Sequence, residues 1–274
     1  MKFNDFIFNY RSCLFSLIKQ ERYFSLVKRL FLLPYKYLIS IFRDIFLNKN
    51  IDKINLKNNS LDEYFKYFGC DKSSLVHGYN KFYDDEFKNF QKLKINILEF
   101  GIHFGASQAS FSKYFPDSVI IGVDKNPYFK KFFSKKIRSL YCDVSDEYSL
   151  HLLREYLKEE IDIIIDDASH IPDHQLNTFV QMFRMLKSKG IYVIEELDIF
   201  QSFPESYNKN FENNESEIRN FLYTIKDKPS EIKKFIKNEN ILNLVKDIEW
   251  VKILRGNYIV NNRNVSEIAF IKKK

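Results

Sequence analysis

From residue 96 onward the chain alternates short, continuously apolar runs with longer stretches whose apolar positions recur every three or four residues. The pattern predicts strands over 96–100, 118–123, 137–142, 161–166 and 190–195, with helices over 106–114, 128–134, 147–158 and 172–187 between them. Runs such as 161–167 (IDIIIDD) lack the polar alternation of a half-solvated strand. Both faces of the sheet are therefore expected to be covered, which is the signature of parallel strands between helical layers. Upstream, 61–68 and 83–93 read as helices, and the Asn-, Lys- and Asp-rich 48–60 reads as a linker. Downstream, a polar segment over 201–217 leads into helical stretches interrupted by Pro229, so that 201–245 is taken as an insertion. Strands over 248–254, 258–260 and 267–271, around an Arg255-Gly256-Asn257 turn, are expected to close the chain.

Residues 1–55 follow a different pattern. Aromatic and aliphatic residues are interleaved with Lys19, Glu21, Arg22, Lys28, Arg29, Lys36 and Arg43. No run approaches the roughly 20 apolar residues of a membrane span, and no small-residue cleavage site follows a clean apolar stretch. The expectation is a helical extension, broken near Pro34, that packs on the core or on a second copy in a homo-oligomer. Peripheral contact of residues 1–50 with anionic lipid is the alternative, with the protein in the cytoplasm or at the inner face of the membrane. Residues 56–274 form the main domain.

Charge and cysteine content narrow the class. The net charge is +7, but residues 1–50 hold nine Lys and Arg against three Asp and Glu, so nearly all of the excess is local. The sheet region is close to neutral and offers no basic face for nucleic acid, nor does the chain carry a D/N-P-P-Y segment. Three widely spaced cysteines, Cys13, Cys70 and Cys142, exclude a C-x-x-C metal pair and a disulfide scaffold.

Candidate chemistry begins at 97–107 (ILEFGIHFGAS), a strand running into a glycine turn with Glu99, Gly101, Gly105 and Ser107. Such a turn lets backbone N–H groups approach a ligand while the carboxylate stays beside it. The next strand ends in Asp124, where α/β cofactor folds place the acid that holds ribose hydroxyls. A dinucleotide fingerprint needs glycine at the position of His103, and no G-K-[ST] is present. The spacing E-x-G-x-x-x-G-x-S resembles motif I of class I S-adenosylmethionine-dependent methyltransferases. That resemblance implies a Rossmann-like α/β fold, mostly parallel with an antiparallel terminal strand, and S-adenosyl-L-methionine as methyl donor.

A second cluster, Asp166-Asp167-Ala168-Ser169-His170, precedes Glu195-Glu196 at the end of the next strand. Neighbouring parallel strands would bring these carboxylates within roughly 5 Å. Like charges so close call for a cation between them, and all-oxygen ligation suits Mg²⁺ better than zinc. The combination DDASH, Gln175 and YVIEEL resembles the sugar O-methyltransferases of macrolide biosynthesis (the mycinamicin and demethylmacrocin enzymes) and the related cephalosporin hydroxylase group. Upstream Asp71, Lys72, His77 and Tyr79 resemble the D-K-x-x-x-H-x-Y segment of that family. The resemblance implies that Asp167, Glu195 and Glu196 ligate Mg²⁺ and that His170 is the general base. Glu99, Gly101, Gly105, Ser107, Asp124, Asp143 and Asp166 are assigned to the donor. Ala168 replaces the usual glycine and Glu196 the usual aspartate, and Asp198 is a substitute ligand.

The expected activity is Mg²⁺-assisted O-methylation of a sugar hydroxyl on a small molecule or glycan, either a bacterial surface glycan or a glycosylated metabolite. The alternatives are a metal-independent methyltransferase for a phosphate-like, amine or small phenolic acceptor, and a non-catalytic donor-binding scaffold at a membrane.

Overall fold

The computed structural model describes residues 3–274 except 21, 57–59, 129, 200–216 and 233–238. In chain order the helices are α1 (Phe3–Lys19), α2 (Tyr23–Phe46), α3 (Leu61–Phe68), α4 (Asn80–Phe87), α5 (Ala106–Tyr114), α6 (Glu147–Leu157), α7 (Pro172–Met182), α8 (Glu217–Asp227) and α9 (Glu239–Lys246). The strands are β1 (Lys49–Asn50), β2 (Asn96–Phe100), β3 (Val119–Asp124), β4 (Phe132–Phe133), β5 (Ile137–Tyr141), β6 (Ile161–Asp166), β7 (Leu186–Ile194), β8 (Ile248–Arg255), β9 (Ile259–Val260), β10 (Arg263–Asn264) and β11 (Glu267–Lys273).

Seven strands form one sheet in the order β5-β3-β2-β6-β7-β11-β8. The strands from β5 to β7 run parallel, and β11 pairs antiparallel with both β7 and β8. Successive residues feed opposite faces, as the pleat requires. Leu98, Ile121, Ile164 and Tyr192 pack against α6, α7 and α8, whereas Ile97, Ile120, Ile163 and Val193 pack against α3, α4 and α5. This explains why the central strands read as unbroken apolar runs. The α3 helix begins where Ser60 and Glu63 cap one another reciprocally, and it ends at Gly69 in a left-handed conformation.

Four local expectations are corrected. The N-terminal break falls before Tyr23 and not at Pro34, which lies inside α2. Pro34 has no N–H to donate to the Leu30 carbonyl, so the helix runs through it with that one bond missing. Among the described residues of 128–134 no helix forms; instead β4 pairs with β1, so part of the supposed linker is structural and Ile51 is fully buried. The helix expected over 83–93 starts earlier, as α4, and tightens into a 3-10 turn at Lys88–Phe90. The strand expected to open at Gly190 begins at Leu186. Of the proposed insertion, 201–216 and 233–238 lie outside the described residues.

The sheet edge at β5 is covered by α1. The Asn9 side chain donates to the Ser139 carbonyl at 3.1 Å and accepts from the Tyr141 N–H at 2.6 Å, standing in for a neighbouring strand. Asp5 binds Arg138 and Tyr156 from the same helix. Among the described residues, no helix is long and apolar enough to cross a membrane.

Candidate active site

The carboxyl ends of β2, β3, β5, β6 and β7 carry nearly all the residues singled out from sequence. Gly101 follows β2 at φ +92°, and a Cβ there would meet the Asp167 carbonyl oxygen at 2.0 Å. The glycine is needed because the end of β6 passes directly over the turn, with the Asp167 N–H bonded to the Phe100 carbonyl. Gly105, at φ +83°, caps α5. Asp124 accepts the Ile102 N–H at 3.0 Å and the Asn126 N–H at 2.8 Å, so it shapes the turn it faces. Gly101, Asp124, Cys142, Ala168 and Ser169 line a cavity of about 210 Å³.

Glu99 lies behind this turn, fully buried, and accepts from Ser107 at 2.8 Å and from Gln108. Burial pushes its carboxyl up to about 7. Asp143 accepts from Ser145 and pairs with Lys125 at 3.0 Å; burial opposes its charge, but these bonds hold it below the ordinary carboxylate value. Beside it, Arg22, Arg29, Lys36 and Lys125 help line a polar cavity of about 390 Å³ between the first two helices and β5. A larger cavity of about 660 Å³, bordered by Leu176, Asn220 and Tyr223, includes none of these site residues in its lining.

The β6 and β7 ends form the second group. The ammonium of Lys72, 1% exposed, contacts Asp167 and lies 3.0 Å from Glu195 and 3.9 Å from Glu99. Burial works against that charge, but Asp167 and Glu195 outweigh it and hold Lys72 well above its ordinary range. Tyr83 donates to Glu195, and Gln175 donates to the Glu195 carbonyl at 2.9 Å. His170 Nε2 is 3.3 Å from Glu196 and 3.7 Å from Asp167, while His77 Nε2 is 3.1 Å from the other Glu196 oxygen. Burial pushes His77 down to about 4, leaving it a neutral donor, and pushes Glu196 up to about 7. His170 and Glu196 both adopt left-handed backbone, at φ +55° and +53°, a strain that clusters at ligand sites. Asp166 is buried beneath them, with Oδ2 lacking a hydrogen-bond partner among the described residues, and burial raises it to about 7.

Asp167, His170, Glu195 and Glu196 are therefore brought together. Asp198 is not: it pairs with Arg255 at 2.6 Å and accepts the Glu267 N–H, so the idea of a substitute ligand is withdrawn. Tyr83 carried no signal in the sequence. Lys72, His77 and Gln175 did stand in the family-like segments, but their role emerges only from contacts across the fold.

No protein-family model matches the chain. An L-olivosyl-oleandolide 3-O-methyltransferase of Streptomyces antibioticus is 31% identical over 154 residues, covering 54% of this chain and 39% of the relative. A tetracenomycin-C 3'-O-methyltransferase of Streptomyces olivaceus, whose named substrate carries a 2-methoxy-rhamnosyl group, is 33% identical over 138 residues, covering 46% and 34%. Among solved structures, the MycE methyltransferase of the mycinamycin pathway, in complex with Mg, SAH and mycinamycin VI, superposes with a TM-score of 0.60 at 20% identity, covering 79% of this chain and 55% of that one. The fold is the Rossmann-like methyltransferase fold. Within this methyltransferase fold, the glycine turn and the carboxylate cluster occupy the same carboxyl edge of the sheet, where open α/β sheets bind ligands. The chain spans little more than a third of the length of these curated relatives and about half of the solved structure.

Proposed function

We propose that this chain is an S-adenosylmethionine-dependent O-methyltransferase acting on a sugar hydroxyl. The observation that carries the reading is the convergence of His170, Asp167, Glu195 and Glu196 on ends of β6 and β7 that adjoin the glycine turn after β2. Gly101, Gly105, Asp124 and Asp143 are assigned to the donor, with Glu99, Ser107 and Asp166 supporting them from the buried side. In the transfer, the acceptor oxygen forms a bond to the sulfonium methyl carbon as the carbon–sulfur bond breaks. The pair of electrons leaves on the neutral thioether, and His170 takes the hydroxyl proton. The names of the relatives favour a glycosylated small molecule as acceptor over a surface glycan.

The donor set suits Mg²⁺: three carboxylates gather here, and Asp167 and Glu195 already reach one shared cation, the Lys72 ammonium. Bound there, Mg²⁺ would acidify and orient the acceptor hydroxyl. Asp167, Glu195 and Glu196 would hold it, with Lys72 yielding its place. Among the described residues, no three His, Cys, Asp or Glu side chains stand ready around one point. The position of Lys72 therefore favours a second reading, a metal-independent methyltransferase in which lysine supplies the compensating charge. Calorimetry with S-adenosylhomocysteine, then turnover of a panel of glycosylated acceptors with and without EDTA, tests both. Binding with EDTA-sensitive transfer is expected, EDTA-resistant transfer selects the second reading, and a folded protein that does not bind the nucleoside removes both.

A further inference from the structure

The outer side of α2 is apolar where a surface helix is ordinarily polar. Val27, Leu38, Phe42 and Ile45 are spaced by 11, 4 and 3 residues, which places them along one side of the helix, and they are 55–66% exposed. Tyr35 and Phe46 widen the stripe, at 61% and 68% exposure. The opposite side of α2 buries Leu33, Ser40 and Asp44. The α1 helix adds exposed Phe3, Ile7, Phe15 and Ile18. Isolated exposed apolar residues are ordinary, but a continuous stripe marks a contact surface.

Charge decides what covers it. Among the described residues, the exposed charges on α1, α2 and the turn between them are Arg11, Lys19, Arg22 and Lys28, all positive. The acids of these helices are withdrawn from the surface: Asp5 is buried against Arg138 at 2.9 Å, and Asp44 is buried 3.4 Å from Lys130. An apolar stripe on a pair of helices whose exposed charges are all cationic repels a second copy of itself and complements anionic headgroups over acyl chains. We propose that α1 and α2 lay the protein on an anionic membrane surface, with the α2 stripe entering the boundary between headgroups and acyl chains. At about 36 Å, α2 is long enough to lie along such a surface. Because Asn9 and Asp5 fasten α1 to β5 and its neighbours, attachment would fix the orientation of the sheet. The inference goes beyond methyl transfer and does not depend on it.

The test is flotation of the whole chain with phosphatidylcholine vesicles, with or without about 30% phosphatidylglycerol. About tenfold more protein is expected to float with the anionic vesicles, and the gain is expected to fall as salt screens the charges. L38E/F42E removes the stripe and R11E/K19E inverts exposed positive charge on α1; each is expected to abolish flotation while S-adenosylhomocysteine affinity and the circular dichroism melt stay as in the parent. A folded parent that stays at the bottom with anionic vesicles overturns the proposal, as does undiminished flotation of both variants. A dimer in light scattering that L38E/F42E dissociates also overturns it, assigning the stripe to a second copy.

Discussion

Along the carboxyl edge of the sheet, two neighbouring groups of acids are compensated from opposite distances in the chain. On the β2, β3 and β5 side, Glu99 is held by Ser107 and Gln108, Asp124 by the Ile102 and Asn126 N–H groups, and Asp143 by Ser145 and Lys125. On the β6 and β7 side, Lys72 answers Asp167 across 95 positions and Glu195 across 123, and Tyr83 answers Glu195 across 112. The first group finds these partners within 22 positions, on the adjoining strand ends and the turns that follow them, and is in place once those strands pair. The second requires the segment before β2 to dock, so the assembly of the second site is coupled to global folding.

The sharpest way to break this contrast is Lys72→Met. It leaves Asp167 and Glu195 without their cation in a buried setting, and a loss of about 3–5 kcal/mol in urea unfolding is expected, partly recovered by added Mg²⁺. A loss under about 1 kcal/mol would mean that the lysine is not what holds the group together. Next in size, His170→Gln is expected to lower the rate of transfer by about 10²-fold or more while S-adenosylhomocysteine affinity is retained, separating the second site from the first. Equal losses in rate and in nucleoside affinity would instead place His170 in the donor pocket.

Asp124→Asn removes the charge and keeps an acceptor oxygen for only one of the two backbone N–H groups, those of Ile102 and Asn126, which bond to different carboxylate oxygens. Nucleoside affinity measured by calorimetry should fall about tenfold, with a loss of about 1 kcal/mol in unfolding for the turn bond that the amide cannot accept. The smallest effect concerns pH. Asp166, Glu99 and Glu196 are all raised to about 7 by burial, so each binds its proton more tightly in the folded state. Their contribution to stability is complete below their ordinary carboxylate values and is lost as pH rises through about 7. His77, pushed down to about 4, acts oppositely and costs stability as pH falls from about 6.5 toward 4. The melting temperature is therefore expected to decline from about pH 4.5 to about 7, most steeply above about 6.5 where His77 no longer opposes it, and Asp166→Asn should flatten that decline. An unchanged slope in the variant would locate the proton elsewhere.

The same division governs what could be read in advance. Each central strand was visible because burial on both faces leaves an unbroken apolar run, and the α3 boundaries because Ser60, Glu63 and Gly69 are local signals. The Gly101 turn and Asp124 were legible from their spacing at the ends of successive strands, although the contacts that need them come from farther away: the Asp167 carbonyl over Gly101 and the Ile102 N–H on Asp124. The helix expected over 128–134 failed because Phe132 and Phe133 serve a pairing with Lys49 and Asn50 that no local pattern encodes. Asp198 was misjudged because Arg255, its partner, arrives from a strand 57 residues later.

By itself, then, the sequence determined the strand-and-helix alternation, the donor-like turn and the acids at the strand ends, because periodicity and turn chemistry act over a few residues. Only the tertiary structure decided that Lys72 stands among those acids, that Asn9 closes the sheet edge and that the apolar side of α2 faces outward. Each of these depends on which distant surfaces bury one another, and that is set by packing of the whole chain.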